Sequence, residues 1–160
     1  WCNEAIYHPH PCFLNGKWYM FFNARGSVNG YSAERCGFAT ADSLDGLWTV
    51  DPNRISEFAE SQSGQMFIMC GDPAIMEYKN NYYMFYFNLE NGAVDHWAYA
   101  SKADFPRGWR YGGKATSKTL PEESKYGHKP SIIKKDNKLY YYYTGVTGQS
   151  RCIILQTFDL

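Results

Sequence analysis

The stretch CGDPAIMEYKNNYYMFYF, residues 70–87, decides the fold, because it holds two strand patterns and the turn between them. Pro73 suits the first residue of a strand, since proline fixes φ and has no N–H to donate. The Asn-Asn pair at 80–81 is a turn signal, because asparagine tolerates a positive φ. The aromatic run that follows is typical of a strand buried on both faces. These features predict a β-hairpin that begins at Asp72.

The same pattern occurs three times when Pro11, Pro73 and Pro130 are aligned. Each proline is followed by a short apolar strand, an Asn-Gly, Asn-Asn or Asp-Asn turn, and an aromatic strand. A strand of small and apolar residues and a polar turn come next, with a Trp after them in the first two copies. The copies are HPCFLNGKWYMFFN (10–23), DPAIMEYKNNYYMFYFN (72–88) and KPSIIKKDNKLYYYYTG (129–145), followed by CGFATADSLDGLW (36–48), HWAYASKADFPRGW (96–109) and CIILQTFDL (152–160).

Four-stranded units at this period predict an all-β fold, a β-propeller, with blades at approximately 7–50, 70–111 and 127–160. Pro73 lies 62 residues after Pro11, and Pro130 lies 57 residues after Pro73. A plain β-sandwich is the alternative. A propeller needs about four to eight blades to close, and the chain holds fewer than three complete units. We therefore expect a partial propeller, truncated at both ends.

Composition excludes several classes of partner. Lys plus Arg and Asp plus Glu both number 16, so the chain lacks the basic field that nucleic acid requires. No apolar run reaches the length of about 18 residues that a membrane-spanning helix needs. The five cysteines are widely spaced, without a zinc pattern, so no metal site is predicted. Buried free thiols and a disulfide both stay open.

Strand order places the starts of the inner strands together. In a propeller the first strand of each blade lines the central channel. Because all inner strands run the same way, the residues at their starts meet at one mouth, and these are His8, His10, Asp72, His128 and Lys129. Converging titratable groups predict a functional site. The alternative for Asp72 is an ordinary role in ordering a turn.

The repeated unit resembles the five-bladed propellers of glycoside hydrolases in the family 43 and family 117 group. The resemblance is carried by GDPAIMEYKNNYYMFYF (71–87), VDHWAYASKADFPRGW (94–109), GHKPSIIKKDNKLYYYYTGV (127–146) and FATADSLDGLW (38–48), which together cover most of the chain. It implies a five-bladed propeller that hydrolyses glycosidic bonds. It also favours a secreted or periplasmic location.

Enzymes of this group use an Asp general base, a second Asp that tunes the acid's pKa and orients it, and a general acid on the next inner strand. Asp72, in Gly-Asp-Pro, matches the second Asp. His128 matches the acid, which is Glu in family 43 and looks to be His in family 117. His10 and Pro11 stand where the base is expected, so hydrolysis by this segment alone is not expected. A His acid also needs a raised pKa, which Asp72 favours and Lys129 opposes.

Sugar binding would need apolar faces and hydrogen-bonding groups at the same mouth. Arg25 is suited to clamping a hydroxyl or a carboxylate, with a surface ion pair as the alternative. Trp97 is either a sugar platform or a core residue, and Glu90 is the rival of His128 as acid. The predicted substrate contacts are His10, Arg25, Asn88, Glu90, Asp95, Trp97 and Lys129.

The resulting hypothesis is an inverting glycoside hydrolase that acts on a plant or algal polysaccharide or oligosaccharide. The alternative is a non-catalytic carbohydrate-binding propeller that has lost the general base. A glycoside phosphorylase would need a basic phosphate pocket, for which only Lys129 and Arg25 are at hand. No cofactor is expected. A structural calcium is common in related propellers, but no ligand set in this sequence indicates one.

Overall fold

The computed structural model describes residues 1–28, 31–57 and 69–160, and within these ranges it contains three antiparallel sheets and no α-helix. A short 3-10 helix, Pro121–Glu123, precedes the third sheet. The first sheet consists of β1 (Ala5–Leu14), β2 (Lys17–Val28), β3 (Tyr31–Ala41) and β4 (Thr49–Val50); the second of β5 (Cys70–Tyr78), β6 (Asn81–Asn88), β7 (Val94–Ser101) and β8 (Arg110–Lys114); the third of β9 (Tyr126–Lys135), β10 (Lys138–Val146) and β11 (Arg151–Asp159).

Each sheet is a meander in which consecutive strands pair, and the sheets follow one another along the chain. The first strands lie together, since β5 contacts both β1 and β9. This is the arrangement of propeller blades around a channel, so the all-β propeller prediction is confirmed. Two blades are four-stranded, and the third has three strands in the described part of the chain. The total of five blades stays a prediction.

The three predicted hairpins join the first and second strands of each blade. Asn15 and Gly16 both have positive φ, as have Asp136 and Asn137, which is what a two-residue hairpin turn requires. In the second blade the turn lies one residue earlier than the Asn-Asn pair suggested. Lys79 takes the positive φ there, and strand β6 already begins at Asn81.

The alignment on Pro11 is wrong, because the structure aligns Pro9 with Pro73 and Pro130. Each of these three prolines lies in a β-bulge of the inner strand, where the strand pairing skips two residues. The equivalent of Asp72 in the first blade is therefore His8, not His10. The signal is present in the sequence: each of these three prolines stands six residues before the first residue of its hairpin turn, whereas Pro11 stands four before.

The main core lies between the first two blades and is dominated by aromatic side chains. Phe21, Tyr82 and Tyr86 are fully buried. Burying a large apolar side chain contributes about 1.5–3 kcal/mol, so these contacts fix how the blades pack. The inner strands keep their relative positions as a result, which holds the channel mouth in shape.

The five cysteines are all free thiols. Cys36 and Cys70 are buried between the blades, where burial raises the pKa of the Cys70 thiol to about 12. They act as small apolar groups in the core. No helix in residues 1–28, 31–57 and 69–160 has the length and apolar character to cross a membrane.

Candidate active site at the channel mouth

The starts of the three inner strands form one cavity of about 140 Å³. Each strand contributes the residue of its bulge and the proline that follows. The cavity is polar, because the side chains of His8, Asp72 and Lys129 meet in it. Its lining consists of His8, Pro9, His10, Asp72, Pro73, Lys129 and Pro130.

The three equivalent residues before the prolines share an unusual backbone. His8, Asp72 and Lys129 have φ of 54°, 57° and 61°, in the left-handed region that side chains rarely adopt. Each such residue costs about 1–3 kcal/mol and persists only where the surrounding structure enforces it. A bulge beside an active site re-aims a side chain. Here three bulges aim three side chains at one point, which makes this cavity the candidate functional site.

Asp72 is the centre of this cluster. Its Oδ1 lies 3.3 Å from His8 Nε2 and 3.5 Å from Lys129 Nζ, and its Oδ2 lies 3.7 Å from His128 Nδ1. Lys129 Nζ also contacts the His8 ring. The largely buried Asp72 carboxylate is thus surrounded by three groups. His8 comes from the first blade, and His128 and Lys129 come from the third.

Burial raises the pKa of Asp72 above its ordinary value. Lys129 and His8 counter part of this rise, because a nearby positive charge favours the carboxylate. Glu34 adds to the rise, since a second negative charge disfavours ionisation. Asp72 is therefore an acceptor whose charge depends on the cations that touch it.

His128 does not have the raised pKa that an acid role was expected to require. Its pKa is lowered to about 4, first by burial and then by the charges of Lys129, Arg151 and His8. The ring packs against Phe87 at 5.4 Å between centroids, which accounts for its burial. The Lys129 ammonium lies in the same cluster, 3.5 Å from Asp72, where its charge lowers the pKa of His128. The Asp72 carboxylate, 3.7 Å from His128, does not outweigh these effects. His128 is neutral at neutral pH.

The Nε2 atom of His128 is buried and has no hydrogen-bond partner among the described residues. A buried nitrogen in this state normally finds a partner, because desolvating a polar group costs free energy. The atom is consistent with a proton donor or acceptor that meets its partner in a bound ligand.

Glu34 was not singled out from the sequence, yet its carboxylate is the central acceptor of a hydrogen-bond network beside the cavity. Its carboxylate accepts a hydrogen bond from Arg25 at 2.6 Å and one from Asn23 at 3.4 Å. Tyr7, the residue before His8, also contacts this carboxylate, and burial together with Glu34 raises its pKa to about 12. No motif in the sequence distinguishes Glu34, because β3 and β2 bring it here only through their pairing.

Arg25 lies within strand β2, and its guanidinium forms an ion pair with Glu34, which was the alternative that the sequence left open. It is half-exposed, so it can still reach a ligand at the edge of the mouth. Among the other predicted contacts, His10 and Lys129 do line the cavity. Burial lowers the pKa of His10, so it is neutral at neutral pH.

Like Arg25, four further predicted substrate contacts do not line this cavity. Asp95 is fully buried and accepts a hydrogen bond from Tyr141 at 2.9 Å, and burial raises its pKa well above its ordinary value. Asn88 is buried and accepts from the Asn91 N–H at 3.0 Å. The Asp95 side chain links the second blade to the third, and the Asn88 side chain orders the loop after β6. A side chain without exposed surface cannot contact a sugar unless the blade opens.

Glu90 and Trp97 are also placed elsewhere. Glu90 is exposed, and its carboxylate accepts from the Met69 N–H at 3.2 Å, which ties the loop after β6 to the start of β5. Trp97 is half-buried, 6.1 Å from the Tyr83 ring, and lines a different cavity between the second and third blades. Trp97 therefore is not a platform for a sugar at the channel mouth.

The described residues contain no group of three His, Cys, Asp or Glu side chains suited to a metal ion. The cluster around Asp72 already holds the cationic Lys129 within 3.5 Å of the carboxylate. A cation site here would need Lys129 to move, because like charges repel.

The sequence matches no protein-family model and no curated protein. The fold, in contrast, aligns with solved structures, several of which are glycoside hydrolases. A BT0996 RGII complex gives a TM-score of 0.79 at 21% identity, and the match covers 100% of this protein and 47% of the solved one. Zg3597, a family 117 glycoside hydrolase produced by the marine bacterium Zobellia galactanivorans, gives 0.74 at 18% identity, covering 98% and 53%. A thermostable family-43 glycoside hydrolase gives 0.71 at 18%, covering 97% and 51%.

The fold is that of the propeller-type glycoside hydrolases, as the sequence resemblance implied. The chain spans about half the length of these solved proteins. At such identities the likeness establishes the fold, and function has to be argued from the site itself.

Proposed function

We propose that the protein is a glycoside hydrolase that binds a plant or algal polysaccharide or oligosaccharide at the channel mouth. The observation that carries the proposal is the convergence of three strained bulges on Asp72. Strain of this kind costs about 1–3 kcal/mol per residue and clusters at functional sites, and here it recurs at equivalent positions of three blades. A sugar ring offers hydroxyl groups to the Asp72 carboxylate, and the Lys129 ammonium and the imidazoles can hydrogen-bond the same ring.

In the proposed inverting mechanism His128 is the general acid and Asp72 orients it. An inverting enzyme separates acid and base by about 6.5–9.5 Å, so that a water molecule fits between the base and the sugar. The positions equivalent to Asp72 hold His8 and Lys129, and neither is a carboxylate. The base of this mechanism has to come from a residue outside these three strand starts.

The lowered pKa of His128 fixes the expected pH dependence of this mechanism. A general acid must be protonated, and His128 gains its proton only as the pH falls toward about 4. Hydrolysis should therefore be fastest in acid and decline as the pH rises above that value.

The alternative, a carbohydrate-binding propeller without hydrolytic activity, is favoured by two observations. His128 is neutral at neutral pH, and no carboxylate occupies the position of the base at the described strand starts. Such a protein would keep the cavity and the donors that hold a sugar.

Hydrolysis and binding can be separated with the native gene product on arabinan, xylan and agarose. Asp72→Asn and His128→Gln should each lower reducing-sugar release by roughly 10²–10⁴-fold if they act in catalysis. Asp136→Asn, in an exposed hairpin turn, is the matched control and should leave the rate unchanged. Activity within about three-fold of the unmodified protein for both site variants would reject the catalytic roles.

Binding without hydrolysis, lost in Asp72→Asn and retained in Asp136→Asn, would establish the alternative. If the protein shows no hydrolysis and no saturable binding of these polysaccharides between pH 4 and 7, both functions are contradicted.

A further inference from the structure

The channel mouth exposes its nitrogen donors and buries its carboxylates. The side chains of His8, Arg25 and Lys129 keep 42%, 50% and 32% of their surface exposed. The carboxylate side chains that they contact, Asp72 and Glu34, keep only 10% and 7%. A ligand that approaches from outside therefore meets the nitrogen donors first, and the acceptor oxygens lie beneath them.

This layering follows from the strands on which the residues lie. Arg25 and Glu34 pair across β2 and β3, and Arg25 Nη2 reaches Glu34 Oε1 at 2.6 Å. His8 and Lys129 stand on the inner strands of the first and third blades, and both contact the Asp72 carboxylate between them. Each buried carboxylate thus holds a positively charged side chain in place at the surface of the mouth.

The ring of His128 reports the sign of the electrostatic field inside the cavity. Its pKa is lowered to about 4, first by burial and then by the positive charges of Lys129, Arg151 and His8, although the Asp72 carboxylate lies only 3.7 Å away. A field that disfavours a further proton favours an anion. Lys plus Arg and Asp plus Glu both number 16 in the chain, so this positive field is a local property of the mouth.

The rest of the cavity lining suits a sugar better than a free inorganic anion. Pro9, Pro73 and Pro130 line the cavity between the polar side chains. A proline ring presents C–H surface and has no N–H to donate. Apolar walls with a few fixed polar groups are typical of sites that bind organic ligands. The cavity therefore offers surface for a sugar ring as well as donors for a charged substituent.

We propose that the channel mouth selects an acidic saccharide, in which a sugar ring carries a carboxylate or a sulfate ester, over its neutral counterpart. This inference rests on the proposed carbohydrate function and adds the chemical class of the substrate. An anionic group between His8 and Lys129 accepts hydrogen bonds from both side chains, and Arg25 extends the donor surface at the edge of the mouth. Hydrogen bonds between ionised groups are roughly twice as strong as neutral ones.

The test compares matched pairs of oligosaccharides that differ in charge. Fluorophore-labelled trigalacturonate and its methyl ester form the carboxylate pair, and a carrageenan oligosaccharide and its desulfated form make up the sulfate pair. Fluorescence anisotropy with the native gene product, at neutral pH and about 50 mM NaCl, should show at least about ten-fold tighter binding of the charged member in one pair. The pair in which this occurs identifies the anionic group.

A substitution and a salt titration trace the preference to the charge of the mouth. Lys129→Gln should remove most of the preference and leave the affinity for the neutral member within about two-fold, because glutamine keeps a donor but has no charge. Lys134→Gln, exposed on the same strand and outside the cavity, is the matched control and should keep the preference. Raising NaCl to about 500 mM should weaken binding of the charged member several-fold and leave the neutral member unchanged, because salt screens charge.

Equal affinity for the charged and neutral members of both pairs would overturn this proposal and leave the proposed carbohydrate function intact. A preference that Lys129→Gln or about 500 mM NaCl leaves unchanged would also overturn it. If inorganic sulfate or phosphate displaces the charged oligosaccharide at equal concentration, the mouth takes a free anion, and the proposal is again overturned. If no saccharide binds, including arabinan, xylan and agarose, the proposed function itself is contradicted.

Discussion

His128 should make the stability of the protein depend on pH in a defined window. Its pKa is about 4 in the folded chain, against an ordinary value of 6.5. Between these values the unfolded chain binds a proton that the folded chain does not. The resulting stability is fully present above pH 6.5 and is lost as the pH falls toward 4. Because one pKa step equals 1.36 kcal/mol, His128 alone accounts for about 3 kcal/mol.

The measurement is urea unfolding of the wild-type chain and of His128→Gln at pH 7 and at pH 4.5. Asp72 titrates in the same region, so the informative quantity is the wild-type free energy of unfolding minus that of the variant, at each pH. This difference should fall by roughly 2–3 kcal/mol between pH 7 and pH 4.5. Glutamine keeps the hydrogen-bonding capacity of the side chain but cannot take up the proton.

An independent readout is the NMR titration of the His128 ring. Lys129→Met removes the largest charge effect and should move the midpoint upward from about 4. Lys134→Met, exposed on the same strand, is the matched control and should leave it in place. A wild-type midpoint at or above 6.5, or parallel stability profiles of wild type and His128→Gln, would refute the reasoning.

Three further substitutions or treatments test the packing. Trp109→Ala should destabilise the chain by about 3–5 kcal/mol in urea unfolding, because the ring is buried between the blades; a loss below about 1 kcal/mol would contradict that. Gly71→Ala should cost about 1–3 kcal/mol, since the new Cβ would lie 2.8 Å from Asn23 Nδ2 beside the site, and Gly148→Ala, with open space around it, should be nearly neutral. Cys36 and Cys70 should resist Ellman's reagent until the chain unfolds, and fast labelling of the folded protein would show that they are accessible.

Much of the fold follows from the sequence, because propeller blades are local structures. A hairpin such as that around Asn15 and Gly16 is fixed by turn residues that tolerate positive φ. The aromatic strands are marked by runs of Tyr, Phe and Trp, which are enriched in β-strands. Each blade folds from consecutive residues, so the period of the repeat is sufficient to place all three sheets.

Part of the site is also predictable. Asp72, Lys129 and His128 come together because each stands at the start of an inner strand, and strand order alone brings those starts to one mouth. The prediction that aligned His10 with Asp72 is wrong, since two His-Pro pairs compete there and His8 is the equivalent residue. The spacing from proline to hairpin turn distinguishes them, and the β-bulge confirms that spacing.

What the sequence by itself determined is the repeat, the sheet order and the residues at the starts of the inner strands, which meet at the channel mouth. Only the tertiary structure decided their electrostatics, because a pKa depends on burial and on the distances between charges from different blades. It lowered the pKa of His128, engaged Arg25 with Glu34, and buried Asp95. It also placed Trp97 in a cavity between the second and third blades, because the packing of one blade on the next is set by side chains that are distant in the sequence.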